Sequence, residues 1–280
     1  MRLKLWGTRG SVPAPGPATA RYGGNTSCLQ VTLTDGTTVV LDAGTGVRAL
    51  GQTLAGAHGP IHVLLTHLHI DHIQGLLFFA PLFEDGAEIT VWGPPSGGSL
   101  ERRIGRYLSA PLSPVEVREL PARPEFLACP APEWRIGSAA VHAQLVAHRG
   151  PTLGYRLVED GASLCYLPDH EPALGGPLGA YEDEWISGFG LAREASVLIH
   201  DCQYTDAEYA MHRGWGHTGV SDAVEFAARC GAGRTLLFHH DPNHDDGELD
   251  ALGRDAAARW AERGATGEVE LALEGSELEV

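Results

Sequence analysis

The chain has 280 residues, 43% of them hydrophobic, with a mean hydropathy of −0.10 and a formal net charge of −16. That apolar share can bury a substantial core. The acidity opposes broad binding to a phosphate backbone but leaves room for one small phosphorylated substrate held at a local site. Five cysteines (Cys28, Cys129, Cys165, Cys202 and Cys230) are odd in number, far apart and mostly set among apolar residues. Buried free thiols are expected, and a disulfide framework is not. The opening MRLKLWGTRGSVP lacks a signal peptide's apolar stretch, and no run reaches the roughly 18 apolar residues of a membrane span. A cytoplasmic location is therefore the expectation.

In chain order, residues 2–6 alternate as a strand, and 28–34 and 37–41 flank Asp35-Gly36, a strong hairpin turn signal. A Gly/Pro-rich loop separates the first two of these runs, and residues 46–54 read as a short helix. Residues 61–66 (IHVLLT) form an apolar run that suits a buried strand. A helix is expected over 73–79, stopped before Pro81, then a strand over 88–92. The middle predicts a helix over 100–108, a strand over 115–120 and otherwise loop. Strands follow at 139–147, 152–158 and 163–167. Residues 172–190 read as a lid or, more commonly for such a segment, a loop pinned by its aromatics. A strand at 196–200, a helix from an N-cap at Ser221 to Cys230, a strand at 235–238 and an amphipathic helix at 249–263 complete the reading. Without repeats or a convincing linker, one α/β domain over 1–280 is expected, with two sheets covered by helices.

The chemistry concentrates in Thr66-His67-Leu68-His69-Ile70-Asp71-His72, directly after the buried strand. Alternate residues of an extended segment point the same way, so His67 and His69 can converge on one ion. Where the chain turns into a helix, Asp71 and His72 can face a second. Imidazole and carboxylate suit zinc, manganese or iron in a hydrolase.

HLHIDH resembles the HxHxDH signature of the metallo-β-lactamase fold superfamily, and the resemblance extends over most of the chain. It implies a four-layer αββα sandwich. LDAGTG at 41–46 resembles the superfamily's first motif, whose aspartate, here Asp42, supports a ligand from behind and fixes its ring. Carried over by motif, His148 is the third histidine of the first site, Asp169 the bridging aspartate and His239 the last histidine. His240 competes for that last place. His170 and His142 have no matching position and read as surface or core histidines, as do His58, His62, His212 and His244; His244 lies near enough to keep in view. Two divalent ions, zinc foremost and manganese or iron as alternatives, would share a hydroxide made available near neutral pH. No serine or cysteine nucleophile is then needed.

His200-Asp201-Cys202-Gln203-Tyr204 after a strand, with Gly216-His217-Thr218 downstream, resembles the superfamily's phosphodiesterase branch, which includes ribonuclease Z. The resemblance implies that Asp201 orients His217 and that His217 protonates the leaving alkoxide. The pattern departs in having Asp for the usual glutamate and HTG for the second element, and His217 capping the helix near Ser221 is the plainer alternative. GTRGSVP…RYGGNTSC resembles a bacterial subgroup labelled cyclic-phosphodiesterase-like or phosphonate-metabolism-like, in which Arg9, Asn25 and Thr26 would line the pocket. A structural loop packed on the sheet is the competing reading.

The expected function is a dinuclear hydrolase of a small phosphodiester, cyclic nucleotide or nucleic-acid end, with Asp71, Asp201 and His217 catalytic. Extended nucleic-acid binding is disfavoured by the acidic charge and the lack of a basic arm. No membrane partner is implied, and a homodimer is compatible. The alternatives are a thioesterase or lactonase of the same fold, or a non-hydrolytic metal- or iron-based sensor.

Overall fold

Two seven-stranded sheets take up the alternating runs in a computed structural model that describes residues 1–56, 59–130 and 132–280. The first sheet contains β1 (Arg2–Gly7), β2 (Cys28–Thr32), β3 (Thr38–Leu41), β4 (Ile61–Leu64), β5 (Ile89–Gly93) and β6 (Glu125–Ala128). The second contains β7 (Glu133–Ile136), β8 (Ala139–Leu145), β9 (Leu153–Glu159), β10 (Ala162–Leu167), β11 (Val197–Asp201), β12 (Arg234–Phe238) and β13 (Glu268–Leu271). The last strand, β14 (Glu277–Glu279), returns to the first sheet beside β1, giving the order β14-β1-β2-β3-β4-β5-β6 against β13-β12-β11-β10-β9-β8-β7. In each sheet the antiparallel half gives way to a parallel half, at β3–β4 in one and at β10–β11 in the other.

Period-two alternation sorts the strand residues between two sides. Leu29, Val31, Val39 and Leu41 face inward, where they meet Val141, Leu157, Leu164, Ile199 and Phe238 of the opposite sheet. Cys28, Val40 and Val63 face outward into a second cluster with Val47 and Leu50 of α1 (Val47–Leu54). On the far side Cys165, Leu198 and Leu237 pack on α6 (Val220–Cys230) and α7 (Asp246–Glu262). The result is the expected four-layer αββα sandwich. The five cysteines are free and buried, and no helix among the described residues is long and apolar enough to cross a membrane.

The expected helix over 73–79 is displaced. Instead α2 spans Ile70–Ile73, and 3-10 turns follow at Leu76–Phe78 and Ala80–Phe83. The Gly75 amide leaves the helix to donate to Ala43 O, which ties α2 to the loop after β3. After α3 (Leu100–Ile104) the expected strand over 115–120 is a 3-10 turn at Val117–Glu119, closed by reciprocal capping between Glu116 and Glu119. Leu178, Ile186 and Phe189 pin the 172–190 segment into the outer core, and α4 (Phe189–Ala192) follows directly. A short helix not foreseen, α5 (Asp206–His212), is started by a Thr205–Glu208 capping box. Ser221 caps no helix. The N-cap of α6 is Gly219, and the Ser221 hydroxyl donates to Asp206 instead.

Arg9, placed by the sequence in the pocket, is fully buried. Its Nε donates to Gly23 O (2.8 Å), and its Nη1 to Asp241 O (2.9 Å) and His244 O (2.7 Å). It thereby fastens the loop after β1 to the loop after β12. Asn25 bonds to Glu274, and the Thr26 hydroxyl donates to Asp71 O. The structural-loop reading holds for all three. Removing the Arg9 guanidinium leaves Gly23 O and His244 O without a partner, while Asp241 O keeps the amide of His244. Each buried group left unpaired costs about 1–3 kcal/mol. Arg9→Met is therefore expected to destabilise the fold by roughly 3 kcal/mol or more. The measure is a lower urea midpoint at an unchanged slope.

Candidate metal centre

The site is assembled at strand ends. β3 ends in Asp42, β4 runs on to His67 and His69, and β8 leads to His148. Likewise β10 leads to Asp169, β11 ends in Asp201, and β12 is followed by His239. Parallel strands that end together bring their following residues to one edge of the sandwich, where open α/β sheets commonly place ligands. At two of these ends the chain turns through a left-handed residue, Asp42 (φ 58°) and His239 (φ 61°). α2 starts immediately after His69 and swings Asp71 and His72 inward, both buried.

Three overlapping groups of potential ligand atoms result among the described residues. His67, His69, His148 and Asp169 form one, Asp71, His72 and His239 another, and Asp169, His217 and His239 a third, each with its atoms within 4.8 Å of one another. Asp169 lies between the first two. Its Oδ1 is 3.1 Å from His72 Nε2 and 3.4 Å from His239 Nε2, whereas its Oδ2 is 3.6 Å from His67 Nε2 and 3.7 Å from His148 Nε2. His239 faces this cluster. His240 turns away, bonds through Nε2 to Ala272 O (2.8 Å) and meets Tyr22 edge-on.

On His67, His72, His148 and His239 the opposite ring nitrogen is engaged. His72 Nδ1 bonds to Asp42 Oδ2 (2.8 Å), His148 Nδ1 to Gly216 O (2.7 Å) and His239 Nδ1 to Gln203 Oε1 (3.2 Å). The Thr66 hydroxyl spends its proton on Asp42 (2.9 Å), so it accepts from His67 Nδ1 at 3.0 Å. These partners leave each Nε2 lone pair pointing into the site. Nε2 of His67, His72 and His239 and Oδ1 of Asp169 are buried without a hydrogen-bond partner. Orphaned polar atoms are rare in a folded interior. Four of them converging from imidazole and carboxylate match a transition-metal donor set.

The charges point the same way. Burial works to raise Asp169, but His239, His72 and His67 beside it hold it well below the usual carboxylate range. Burial likewise opposes charge on His239, yet Asp169, Asp71 and Asp201 raise it to about 8. His72 is lifted well above the ordinary value against the same penalty by Asp169, Asp71 and Asp42. His67, buried beside His72, is pushed well below. Without metal, protons thus take up part of the positive charge that this pocket demands.

Over residues 37–240 the chain matches the family model described as the Beta-lactamase superfamily domain. The chain belongs to that family. Ribonuclease Z of Kineococcus radiotolerans is 27% identical over 272 residues, covering 85% of this chain and 84% of the relative. The fold of the metallo-β-lactamase fold protein YhfI from Bacillus subtilis superposes with a TM-score of 0.72 at 19% identity, covering 100% of this chain and 99% of that one. A diphosphatase from the PhnP family gives 0.71 at 18% identity, covering 100% and 97%. For this member of the beta-lactamase superfamily the expected fold and family are met.

His217 lies at the rim of the cluster, half-buried, its ring stacked on His239 with centroids 4.8 Å apart. Its Nδ1 is 2.7 Å from Asp201 Oδ2, and it caps no helix. Asp201 also accepts from the amides of Gln203, Thr218 and His170. Of the remaining histidines, His170 is core, paired with His200 at 3.0 Å. His62 accepts from Trp92, and His142 is part-exposed near Glu133. His244 is buried against Glu208, and His212 lines a cleft beside the cluster. His58 lies outside the described residues.

Sequence reasoning assigned no role to Gln203, Tyr166, Thr66, Glu171 or Ser11. Tyr166 OH donates to Asp42 Oδ2 (3.0 Å), and the Ser11 amide donates to Asp71 Oδ2 (2.8 Å). Gln203 Nε2 reaches Asp241 while its oxygen holds His239. The available signal was positional, since Thr66, Tyr166 and Gln203 each sit within three residues of a proposed ligand or of Asp201. Gly10 is fixed by close approach, as a Cβ there would stand 2.3 Å from His239 Nδ1.

Two outcomes follow for metal uptake. Ligand nitrogens must shed their protons to bind, so apparent affinity should rise with pH through about 8, where His239 deprotonates. Competition against a chelator from pH 6 upward reads this, and a flat profile contradicts it. Gln203→Leu should weaken metal binding by roughly 10–100-fold, the usual effect of removing a ligand's hydrogen-bond partner.

Proposed function

We propose that the protein is a phosphodiesterase that works with two divalent metal ions, zinc foremost with manganese or iron as alternatives, on a small phosphodiester, a cyclic nucleotide or a nucleic-acid end. The observation that carries this reading is Asp169, whose two oxygens face the two separate groups of imidazoles. His67, His69 and His148 would hold one ion, Asp71, His72 and His239 the other, with Asp169 shared. Bound there, the ions supply a water acidified toward neutral pKa and positive charge opposite the phosphoryl oxygens.

The chain's own groups do the rest. Hydrolysis places a hydroxyl on phosphorus and a proton on the departing alcohol. His217 is suited to that second transfer, because Asp201 engages Nδ1 and leaves Nε2 free at the edge of the cluster. Asp71 is fixed by the Ser11 amide and set 3.4 Å from both His72 and His239. Burial works to raise its carboxyl, but those two imidazoles hold it well below the usual carboxylate range, which suits a ligand that stays ionised.

The names of the similar proteins, ribonuclease Z and diphosphatase, support chemistry at phosphorus. A net charge of −16 argues against an extended nucleic acid and for a compact substrate. A thioester, whose thiolate departs more readily than an alkoxide, would give the donor at His217 less to do.

His217→Ala separates these substrates. Turnover of a nucleoside or alkyl phosphodiester should fall by roughly 10²–10⁴, the range for a lost general acid. Bis(p-nitrophenyl) phosphate, whose phenolate departs unaided, should lose far less. Equal losses on both substrates would sink the proton-donor assignment.

A further inference from the structure

Beside the cluster, a loop is held in place with more apparatus than a connection requires. Glu171 is fully buried, and its Oε1 accepts from the Gly214 amide (2.8 Å) and Tyr209 OH (3.1 Å) while its Oε2 accepts from the Gly216 amide (2.8 Å). Gly214 and Gly216 have φ of +78° and +95°, and a Cβ on Gly216 would stand 2.4 Å from His148 Nδ1. Gly216 O is itself the acceptor for His148. The residue between these two fixed glycines is Trp215, whose surface is 52% exposed.

An exposed tryptophan on a mobile loop would mean little. This ring is carried on a backbone pinned by a buried carboxylate, and its neighbours hold it further. His212 meets it edge-on at 4.9 Å and stacks in turn on Tyr204 at 4.8 Å and 14°. The Arg149 guanidinium lies 5.7 Å from the ring centroid, one residue after His148. These groups and His217 line a cleft of about 400 Å³, within the size range of small-ligand sites. Glu208 and Asp241 also line it.

We propose that Trp215 is the seat of a nucleobase, so that the substrate is a nucleotide whose phosphodiester reaches from this ring past His217 to the cluster. The inference rests on the phosphodiesterase reading and narrows it. A flat, rigid, half-exposed ring offers a stacking face that accepts any base. Arg149 at the cluster rim can pair with a phosphate oxygen. The carboxylates of Glu208 and Asp241 accept from ribose hydroxyls or base amino groups and repel additional phosphates, which selects a short substrate over a polyanion.

The test is calorimetric titration of the metal-loaded protein with adenosine 5′-monophosphate and with ribose 5-phosphate. Wild type should bind the nucleotide at least roughly tenfold tighter than the sugar phosphate. Trp215→Ala should bring that ratio close to one, and Trp215→Phe should keep most of it, with melting temperatures checking that both variants fold. Equal binding of the two ligands by wild type, no binding of the nucleotide, or a ratio that survives Trp215→Ala each overturns the proposal. Turnover of 2′,3′-cyclic AMP by wild type is measured alongside. Turnover without a base preference removes the stacking seat alone, whereas a base preference without turnover of any diester removes the phosphodiesterase reading and leaves the seat.

Discussion

The carboxylate of Asp169 is the constraint around which the site is arranged. It is 1% exposed, and its Oδ1 has no hydrogen-bond partner. A carboxylate taken out of water costs several kcal/mol unless positive charge meets it. Here the groups turned toward it are the rings of His67, His72, His148 and His239, arriving from both sheets. A fold that buries this carboxylate commits itself to keep cations beside it, as protons on imidazole or as metal. The features behind the rings serve that commitment. Asp42 holds His72 directly and His67 through Thr66, and Tyr166 steadies Asp42 in turn.

The strain in the site has the same origin. Ser11, Asp42 and His239 adopt left-handed backbone at φ of 59°, 58° and 61°, where a non-glycine residue costs on the order of 1–3 kcal/mol. Asp42 and His239 directly follow β3 and β12, and Ser11 lies in the loop after β1. Ser11 aims its amide at Asp71, and Asp42 accepts the amide of Thr66 at 2.7 Å. The cost is offset by fastenings outside the site, among them the three carbonyls gripped by Arg9. Local rules fail where function demands it and are repaired one layer away.

This pattern also explains what could be read from the sequence. Buried strands such as β4 and β11 announce themselves by apolar runs, and the ligand-type residues follow them directly. β6, β7, β13 and β14 are mostly exposed edge strands with burial on one residue or none, so nothing apolar marked them. The 115–120 run carries strand-forming valines, yet capping between Glu116 and Glu119 wins locally. The start of α2 was obscured because the motif residues themselves form its first turn. Arg9 was left between pocket and structural loop because its contacts are to carbonyls distant in sequence. Gln203 and Glu171 act through backbone and ring partners tens of residues away, a relation that spacing does not encode.

Glu171 and Asp201 together define what the loop from Arg213 to Thr218 can do. Glu171 holds the amides on either side of Trp215, while Asp201 holds the His217 ring and the Thr218 amide. Between them Gly216 O takes the proton of His148 Nδ1. One short segment therefore fixes a proposed ligand, a proposed proton donor and an exposed aromatic face relative to one another. A displacement of any of the three is transmitted to the other two, because all hang on two buried carboxylates that cannot move without losing several hydrogen bonds each. Pre-organisation of this kind places reacting groups before the substrate arrives, so less binding energy is lost to ordering. It also separates what can vary from what cannot. The Trp215 side chain can change without touching either carboxylate, whereas any side chain at Gly216 would run into His148. Position 215 is thus open to substitution, while the glycine after it is locked by the ring of His148.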